Sequence, residues 1–461
     1  MPPRPANLMQ FFLAATVLVA ALVLGGGQGT LGDSLVQVLA LVLVAVCLLR
    51  HVRDPEARLP WFAWLAMVPC ALPLLQLMPI PEGLWLHPEA RQALATELAI
   101  GEVDPAQRWS LVPVASERTL FWLLPATALF LSSLQLDASQ RKYLLALLVA
   151  IAVLSVVLGL AQLAGGTDSA LRFYAITNPT EAVGFFANRN HLASLLVVAL
   201  PLVVVGTARW LGQREQWDAA TVLGLLAGIG MVALLILGIA IARSRAGLLL
   251  GMLGLLGSLP IVLGLRRRRG TRRVLAAAVA LGLTLVVQFA LFGILQRLES
   301  DPLEDERFRY LPIASVVADS HAPLGAGLGG FRRAFEAGDP TPTSHYVNHA
   351  HNDYAELWIE AGPLVVPAGM LLLAAWSLAL WRAWRRTGAM SAGTRGLALA
   401  AGLGLLLLAL HALGDYPLRT TAIMAVAGLL AGILAAHGRP GRQAELREIH
   451  LSPDAEGARL A

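Results

Sequence analysis

The residues of this chain that could do chemistry are concentrated in one stretch, HAHNDYAELWIEAG, which runs from His349 to Gly362. Its polar side chains are two histidines, an amide and three carboxylates: His349, His351, Asn352, Asp353, Glu356 and Glu360. The stretch closes a long polar segment and leads directly into a hydrophobic run, Leu364 to Leu380. Burying such groups at a membrane edge is costly unless they are paired or used, so we interpret the stretch as functional. The alternative is a polar helix start capped by Asn352 or Asp353, which leaves the histidines unexplained.

A second polar position lies in the run FFANRNHLASLL, where Asn188 and Asn190 flank Arg189 immediately before an apolar helix. The N-terminus of a helix presents free N–H groups and a positive dipole end, so an arginine placed there favours an anion site. The alternative is an arginine whose head group reaches the membrane interface above an asparagine cap. Both interpretations remain open for Arg189 taken alone.

Two more arginines lie in the short turn IARSRAG, residues 241–247, between two apolar runs. The guanidinium groups of Arg243 and Arg245 match phosphate oxygens bidentately, which favours phosphate recognition over a chance pair at the interface. Together with Arg189, they place three arginines on separate elements of one face. This arrangement indicates a shared dianionic ligand.

The composition indicates the elements that must position these residues. The chain has 461 residues, is 57% hydrophobic and only 14% charged, and has a mean hydropathy of +0.66. Soluble domains carry about 25% charged residues, so we predict an all-α integral membrane protein. About twelve transmembrane helices are predicted from apolar runs of membrane-spanning length. The runs are 9–25, 33–49, 60–78, 119–136, 142–164, 191–208, 219–242, 246–265, 274–295, 364–381, 396–413 and 417–436.

The predicted organisation follows the order of these runs. Residues 1–295 carry nine spans with short loops and two longer outer loops, near 79–118 and 165–190. Residues 296–363 form a large outer loop, residues 364–437 carry three more spans, and 438–461 form a polar tail. The 79–118 loop is rich in proline and tryptophan, which favours a short interfacial helix and turns packed on the membrane surface.

The arginines indicate the orientation of the chain. With twelve spans, one side collects 22 of the 35 basic residues on short loops and tails, including the run RRRRGTRR at 266–273. That excess marks the cytoplasmic side. The pI near 9.7 therefore reports topology, and we predict no nucleic-acid partner.

Three weaker patterns are interpreted as structural. Cys47 and Cys70 lie inside predicted spans and are interpreted as small core residues. The GxGxxG spelled by glycines 325, 327 and 330 lacks a strand–helix context, so it predicts a tight turn whose backbone approaches the membrane or a ligand. In HALGDYPLR, Asp415 is interpreted as the N-cap of the last helix, with a supporting role behind the site as the alternative.

A metal site starting from His349 and His351 is also considered. Residues two apart lie on different sides of a helix, and no third ligand stands out in the sequence. We therefore predict neither a metal nor another cofactor.

Taken in order, these motifs resemble a known family, the O-antigen ligase and polymerase superfamily of bacterial envelope glycosyltransferases. The resemblance covers roughly residues 184–420 and rests on FFANRNHLASLL, ARSRAG, HAPLGAGLGGF, HAHNDYAELWIEAG and HALGDYPLR. His351-Asn352, nine residues and Gly362 fit the pattern of the ligases. Val365 departs from it, because glycine, threonine or tyrosine is expected there.

The resemblance implies a twelve-helix bundle in the bacterial inner membrane, with the large, partly helical loop capping a cavity on the periplasmic side. It implies a glycan donor carried on undecaprenyl diphosphate. Ligases transfer this glycan to lipid A-core, and polymerases transfer it to another glycan unit. The implied transfer is metal-independent and inverts the anomeric carbon, and the ligase reaction is favoured here.

Under this resemblance the candidate residues take roles. His351 is the expected general base, because histidine titrates near neutral pH, and His349 orients the acceptor. The expected diphosphate clamp is formed by Arg189, Arg243 and Arg245 with Arg307 or Arg309 as a further member. Asn188 and Asn352 complete the set as diphosphate or substrate contacts.

Three other functions are weighed against the ligase. A polymerase would use the same chemistry with a growing glycan as acceptor, and a protein-glycosylating relative comes next. A lipid-linked glycan transporter or flippase belongs to a different class with a similar number of spans. Transporters place charged or helix-breaking residues at mid-membrane, whereas the charges here lie at the outer edge.

Orientation gives the first testable prediction. A cysteine introduced at Thr341 should be labelled by an impermeant thiol reagent applied from outside, because the 296–363 loop is predicted to be periplasmic. A cysteine introduced at Gly270 should be labelled only after permeabilisation. The reverse pattern would put donor and acceptor on the wrong side and would contradict the proposed chemistry.

Overall fold

The computed structural model describes residues 5–27, 29–214, 216–264, 306–339, 347–385 and 392–437, with a few positions between 280 and 287. The run RRRRGTRR, most of the predicted ninth span and the first residues of the large loop lie outside the described residues. The side chains of Arg307 and Arg309 also lie outside them. In the described part, secondary structure is helical apart from one isolated β-bridge between Pro79 and Arg108.

The first ten helices precede the large loop. They are α1 Pro5–Leu24, α2 Leu31–Arg53, α3 Val68–Gln76, α4 Glu82–Trp85, α5 Glu89–Ile100, α6 Pro113–Gln135, α7 Ala138–Ala164, α8 Arg189–Leu211, α9 Ala219–Ile241 and α10 Arg245–Gly264. The remaining described helices are α11 Glu306–His321, α12 Phe331–Gly338, α13 Asp353–Ala361, α14 Val365–Arg385, α15 Ala392–His411 and α16 Thr421–His437. Single 3₁₀ turns at Gly362–Leu364 and Pro417–Arg419 lead into α14 and α16.

Eight helices of the described part are long and apolar enough to cross a membrane, and two shorter apolar segments, Trp61–Gln76 and Thr421–His437, accompany them. The prediction of an all-α, multi-pass membrane protein is therefore confirmed. The count of twelve spans stays a prediction, because the run at 274–295 lies largely outside the described residues. The predicted third span is a 3₁₀ segment followed by the short helix α3.

Helix α8 is the centre of the membrane bundle. Its sequence is apolar on every side, and its residues are buried almost throughout, as expected of a helix surrounded by others. Helices α9, α10 and α15 pack around it. By contrast, α14 has one buried residue, Ala383, and turns leucine, methionine and tryptophan side chains outward. The site residues at the start of α8 therefore belong to the most buried of the described membrane-spanning helices.

Helices α6 and α16 approach closely through two glycines four residues apart. A β-carbon at Gly428 would lie 2.2 Å from the backbone oxygen of Ala126, and one at Gly432 would lie 2.7 Å from that of Phe130. Small residues at this spacing allow helix backbones to touch inside a membrane, where van der Waals packing drives association. This contact fixes α16, and with it the turn that precedes it, against the rest of the bundle.

The described part of the large loop has its own small core. Tyr310 of α11, Phe331 and Phe335 of α12 and Ile359 of α13 pack together, separate from the membrane core. This packing places α13 beneath α11 and α12. The described part of the loop is therefore stabilised by a hydrophobic core of its own.

The glycine-rich turn between α11 and α12 packs against the 79–118 loop. Gly327 has φ +99°, and a β-carbon there would lie 2.1 Å from Oγ of Ser110. The side chain of Gln76 accepts from the N–H of Leu328 at 2.8 Å and donates to the carbonyl of Glu360 at 3.0 Å. The turn therefore approaches protein, which corrects the prediction that it approaches the membrane or a ligand.

The close contact between α6 and α16 gives the second prediction. Gly428→Ala should lower the free energy of unfolding by about 1–3 kcal/mol, because its methyl group meets backbone that cannot yield. Thermal unfolding of the detergent-purified protein measures this change. Gly369→Ala is the matched control, since Gly369 lies in α14 with no neighbouring atom within 4 Å. Equal stability of the two variants would contradict the close packing.

Candidate active site

The helix ends that carry the predicted site residues meet at one end of the bundle. Nδ2 of Asn188, before α8, donates to the hydroxyl of Tyr416 at 3.2 Å. The N–H of Asp353, at the start of α13, donates to the carbonyl of Ala412 after α15 at 3.0 Å. A third contact joins the segment before α8 to the end of α9, where the N–H of Ala182 lies 3.3 Å from the carbonyl of Ile241.

One arginine, Arg419, holds the carboxylates of α13. Asp353, Glu356 and Glu360 are spaced so that they share one face of the helix. Nε of Arg419 lies 3.2 Å from Asp353 and 3.4 Å from Glu356, and Nη1 lies 2.8 Å from Glu360. All four side chains are buried or nearly so. Burial lowers the pKa of Arg419, but the three carboxylates outweigh it and raise the pKa above its ordinary value. The guanidinium is therefore permanently charged.

The same carboxylates also accept backbone N–H groups. Asp353 accepts from Leu418 at 3.2 Å, Glu356 accepts from Ala350 at 2.9 Å, and Glu360 accepts from Phe331 at 3.3 Å. Charge-assisted bonds of this kind are stronger than neutral ones. The cluster thus ties together the histidine-bearing segment, the start of α12 and the turn before α16.

His349 is fixed on two sides. Its Nδ1 lies 3.1 Å from both oxygens of Glu356, and its ring stacks on Tyr416 with centroids 3.8 Å apart. Because Glu356 is also paired with Arg419, its carboxylate accepts, and Nδ1 of His349 donates. The ring is held within the cluster and is only 11% exposed.

His351 is paired with a different carboxylate and is more open. Its Nδ1 lies 3.1 Å from Oδ1 of Asp415, and its side chain is 27% exposed. Burial raises the pKa of Asp415, but the hydrogen bond from His351 and the neighbouring histidines outweigh it and hold the pKa below its ordinary value. An ionised Asp415 accepts, so Nδ1 carries the proton and the lone pair of neutral His351 lies on Nε2.

The backbone of His351 is strained. Its φ is +51°, a left-handed conformation that residues with a side chain adopt rarely. Strained conformations of this kind persist where the surrounding structure enforces them and cluster at functional sites. Asn352 follows as the N-cap of α13, which is one of the two caps named in the alternative interpretation of this stretch, and its role as a substrate contact stays a prediction. Its Oδ1 accepts from Tyr354 and Ala355, and its Nδ2 donates to Leu413. The amide of Asn352 is therefore engaged in holding the loop.

Tyr416 lies between three histidines. Besides stacking on His349, its ring meets His351 and His191 edge-on, at centroid distances of 5.1 and 5.0 Å. His191 is buried near the start of α8, and neither of its ring nitrogens has a hydrogen-bond partner in the described part. Asn188 caps α8 through its Oδ1 and binds Tyr416 through its Nδ2. Asn188 thus joins the arginine side of the site to the histidine side.

Arg189 is the first residue of α8, and its guanidinium forms an ion pair with Glu181 in the preceding segment. Its backbone N–H donates to the side-chain oxygen of Asn178 at 2.9 Å. Arg189 therefore lies at a helix start, and its role in an anion site stays a prediction. The paired carboxylate was not predicted.

Arg243 lies on the turn between α9 and α10, Arg245 is the first residue of α10, and both side chains are exposed. The described residues offer neither of them an ion-pair partner. Ser244 between them is buried and accepts from the N–H of Gly247 at 3.1 Å. A β-carbon at Gly247 would lie 2.8 Å from Ala193, so this turn lies beside the first turns of α8. Arg307 and Arg309 belong to the first turn of α11.

No three His, Cys, Asp or Glu side chains are grouped as metal ligands within the described ranges.

Asp415 has a different role from the favoured interpretation of the sequence. Helix α16 begins at Thr421, six residues after Asp415. Oδ1 of Asp415 instead accepts a hydrogen bond from His351. Its other oxygen, Oδ2, is buried without a partner in the described part. Asp415 is therefore no helix cap, and the alternative interpretation, a supporting residue behind the site, fits the contacts.

Comparison with known proteins supports the family that the sequence motifs resemble. Residues 229–373, about a third of the chain, match the family model described as O-antigen ligase. The match includes Arg243, Arg245, His349 and His351. No curated protein matches the chain. The family match supports the O-antigen ligase superfamily, and with it a membrane enzyme of glycan transfer of the ligase or polymerase type.

Sequence reasoning missed several residues of the cluster. Arg419 and Tyr416 stand in the quoted motif HALGDYPLR but received no role, and Glu181 was not singled out. A signal for Arg419 was present, because three carboxylates on one face of α13 require a cation nearby. No comparable signal identifies Tyr416, whose position depends on the turn after α15.

The Arg419 cluster gives the third prediction. Arg419→Met should destabilise the protein by about 3–5 kcal/mol at neutral pH, because it leaves three carboxylates buried without their cation. The deficit should shrink as the pH falls, since protonation removes those charges. Thermal unfolding as a function of pH measures both effects.

The control for this variant is Arg333→Met, which removes an arginine whose side chain is 70% exposed on α12. That change should leave stability nearly unaltered. A stability of Arg419→Met that equals the control at neutral pH would show that the carboxylates do not depend on Arg419.

Proposed function

We propose that this chain transfers a glycan from undecaprenyl diphosphate to lipid A-core on the periplasmic side of the bacterial inner membrane. The acceptor hydroxyl attacks the anomeric carbon from the face opposite the diphosphate. A new carbon–oxygen bond forms as the bond to the diphosphate breaks, and the diphosphate leaves with the electron pair. The anomeric configuration is inverted in this single displacement.

The observation that carries the proposal is the pair formed by His351 and Asp415. Asp415 directs the proton of His351 to Nδ1, which leaves Nε2 to take the proton of the acceptor hydroxyl. The same carboxylate stabilises the imidazolium that results. Nε2 of His351 has no hydrogen bond within the described residues, and the ring is the more exposed of the two in the loop. We therefore assign the general base to His351.

The contacts of His349 suit a supporting role in the reaction. Its ring is stacked on Tyr416 and tied to Glu356, so it is placed to orient the acceptor beside His351. Its position outside the His-Asn-x9-Gly pattern agrees with this division. Gly362, at the end of that pattern, has φ +58° and would clash through a β-carbon with the carbonyl of Pro323 at 2.4 Å. The backbone conformation and the close packing at the C-terminal end of α13 therefore require the glycine of the pattern.

The leaving diphosphate requires positive charge on the other side of the site. Arg189 lies at the N-terminus of α8, and Arg243 and Arg245 occupy the exposed turn next to it. Guanidinium groups bind phosphate oxygens bidentately, and charge-stabilising donors at a reacting centre contribute on the order of a few kcal/mol each. Arg307 or Arg309 of the large loop remains a proposed further member.

The second candidate is a polymerase that uses the same residues and a glycan acceptor. The family match supports both types equally. A transporter fits less well, because the described arginines and histidines of the site lie at helix ends at one end of the bundle.

The fourth prediction tests the transfer directly. The purified protein in lipid nanodiscs, supplied with undecaprenyl-diphosphate-linked glycan, should modify lipid A-core and not a second lipid-linked unit. His351→Ala should reduce the rate about a hundred- to ten-thousand-fold, because a positioned base is lost. Asp415→Asn should also reduce it strongly, because the amide no longer selects the tautomer of His351. Gel separation of labelled product measures the transfer.

His87→Ala is the control, since His87 is an exposed histidine of the 79–118 loop. It should leave the rate unchanged. Elongation of the lipid-linked unit in place of lipid A-core would establish the polymerase. A normal rate in His351→Ala together with a loss of activity in His349→Ala would show that His349 is the base.

A further inference from the structure

The segment before α8 contains a second arginine, Arg172, which is half-buried and whose contacts are unusual. Its Nη1 donates to the backbone carbonyls of Asn178 and Glu181, at 2.8 and 3.1 Å. Its Nε and Nη2 are buried and have no hydrogen-bond partner in the described part of the chain. Buried donors without partners are rare and each costs free energy, so this pair requires an explanation.

The two unpartnered atoms form one functional edge. Nε and Nη2 lie on the same side of a guanidinium group, and this edge binds two oxygens of a phosphate or carboxylate in parallel. Among the described arginines, Arg172 alone has both atoms of this edge buried without a partner. Its Nη1 is fixed by the backbone while its bidentate edge is unused.

Arg172 lies next to Arg189. The backbone carbonyl of Asn178 accepts from Arg172, and the side-chain oxygen of the same residue accepts from the N–H of Arg189. Glu181 touches both arginines as well, since its carbonyl accepts from Arg172 and its carboxylate pairs with Arg189. The two guanidinium groups thus contact the same glutamate.

The base of this segment is held in place. Gln162 at the end of α7 donates to the carbonyls of Leu171 and Gly184, and its oxygen accepts from the N–H groups of Val183 and Gly184. These bonds hold the residue before Arg172 and the residues after Glu181 against α7. The arginine backbone is therefore preorganised, and a change in this region can be confined to side chains.

We propose that Arg172 binds one phosphate of the donor diphosphate through its Nε–Nη2 edge, beside Arg189, after the Glu181 carboxylate has turned away. Glu181 is then an internal anion that neutralises Arg189 until the diphosphate replaces it. The inference rests on the proposed function for the identity of the ligand. It adds a binding residue and a competing carboxylate to that site.

The fifth prediction compares two lipid probes, undecaprenyl diphosphate and undecaprenyl monophosphate. Arg172→Lys keeps one charge and can still donate to the two carbonyls, but it loses the bidentate edge. The preference of the protein for the diphosphate over the monophosphate should therefore fall about tenfold or more, the loss expected for a charge-assisted hydrogen bond. Binding affinities in nanodiscs measure this preference, and thermal unfolding of the variant should be unchanged.

Glu181→Gln provides an independent measurement. It should tighten binding of the diphosphate several-fold, because the amide no longer competes for Arg189. Arg333→Lys, an exposed arginine on α12, is the matched control and should bind both probes as the unmodified protein does.

An unchanged preference in Arg172→Lys, including equal loss of both probes, would contradict the role of Arg172. Weaker or equal diphosphate binding in Glu181→Gln would contradict the role of Glu181. If the unmodified protein binds neither probe, the proposed function itself fails. By contrast, if the unmodified protein prefers the diphosphate and Arg172→Lys keeps that preference, only the role of Arg172 fails.

Discussion

A single buried guanidinium, that of Arg419, determines how the site is assembled. It neutralises carboxylates of α13 from a turn that precedes α16, and those carboxylates hold the backbone next to both loop histidines. Acidic side chains gather on the α13 side of the site, whereas Arg189 and the Arg243–Arg245 turn bring basic side chains to the α8–α10 side. A histidine that takes a proton is stabilised on the first side, and a leaving diphosphate would be stabilised on the second.

Several contacts in the described part join the two sides. Asn188 binds Tyr416 across the site, and Tyr416 carries His349 on its face. Asn188 also caps α8, the most enclosed helix of the bundle. The distance between the basic and the acidic side therefore depends on rigid elements. This suits the proposed reaction, in which the base and the leaving group lie on opposite faces of one sugar carbon.

Much of this arrangement could be predicted from sequence where the signal is local. Apolar run length predicts membrane helices, and the caps at Asn188 and Asn352 are available from the sequence as alternative interpretations of those residues. Pairings between distant segments could not be predicted. Asp415 lies 64 residues from His351, and a short turn decides whether it caps α16 or supports the histidine. The pairing of Arg189 with Glu181 likewise depends on how the 165–188 segment folds back on α7.

The left-handed backbone at His351 implies a trade-off between stability and activity. Holding a non-glycine residue in that conformation costs of order 1–3 kcal/mol, and glycine or asparagine would adopt it more easily. For folding alone, histidine is thus a poor choice at this position. Selection for stability and selection for activity would favour different residues at this position. We therefore expect the replacements of His351 that stabilise the loop to abolish activity.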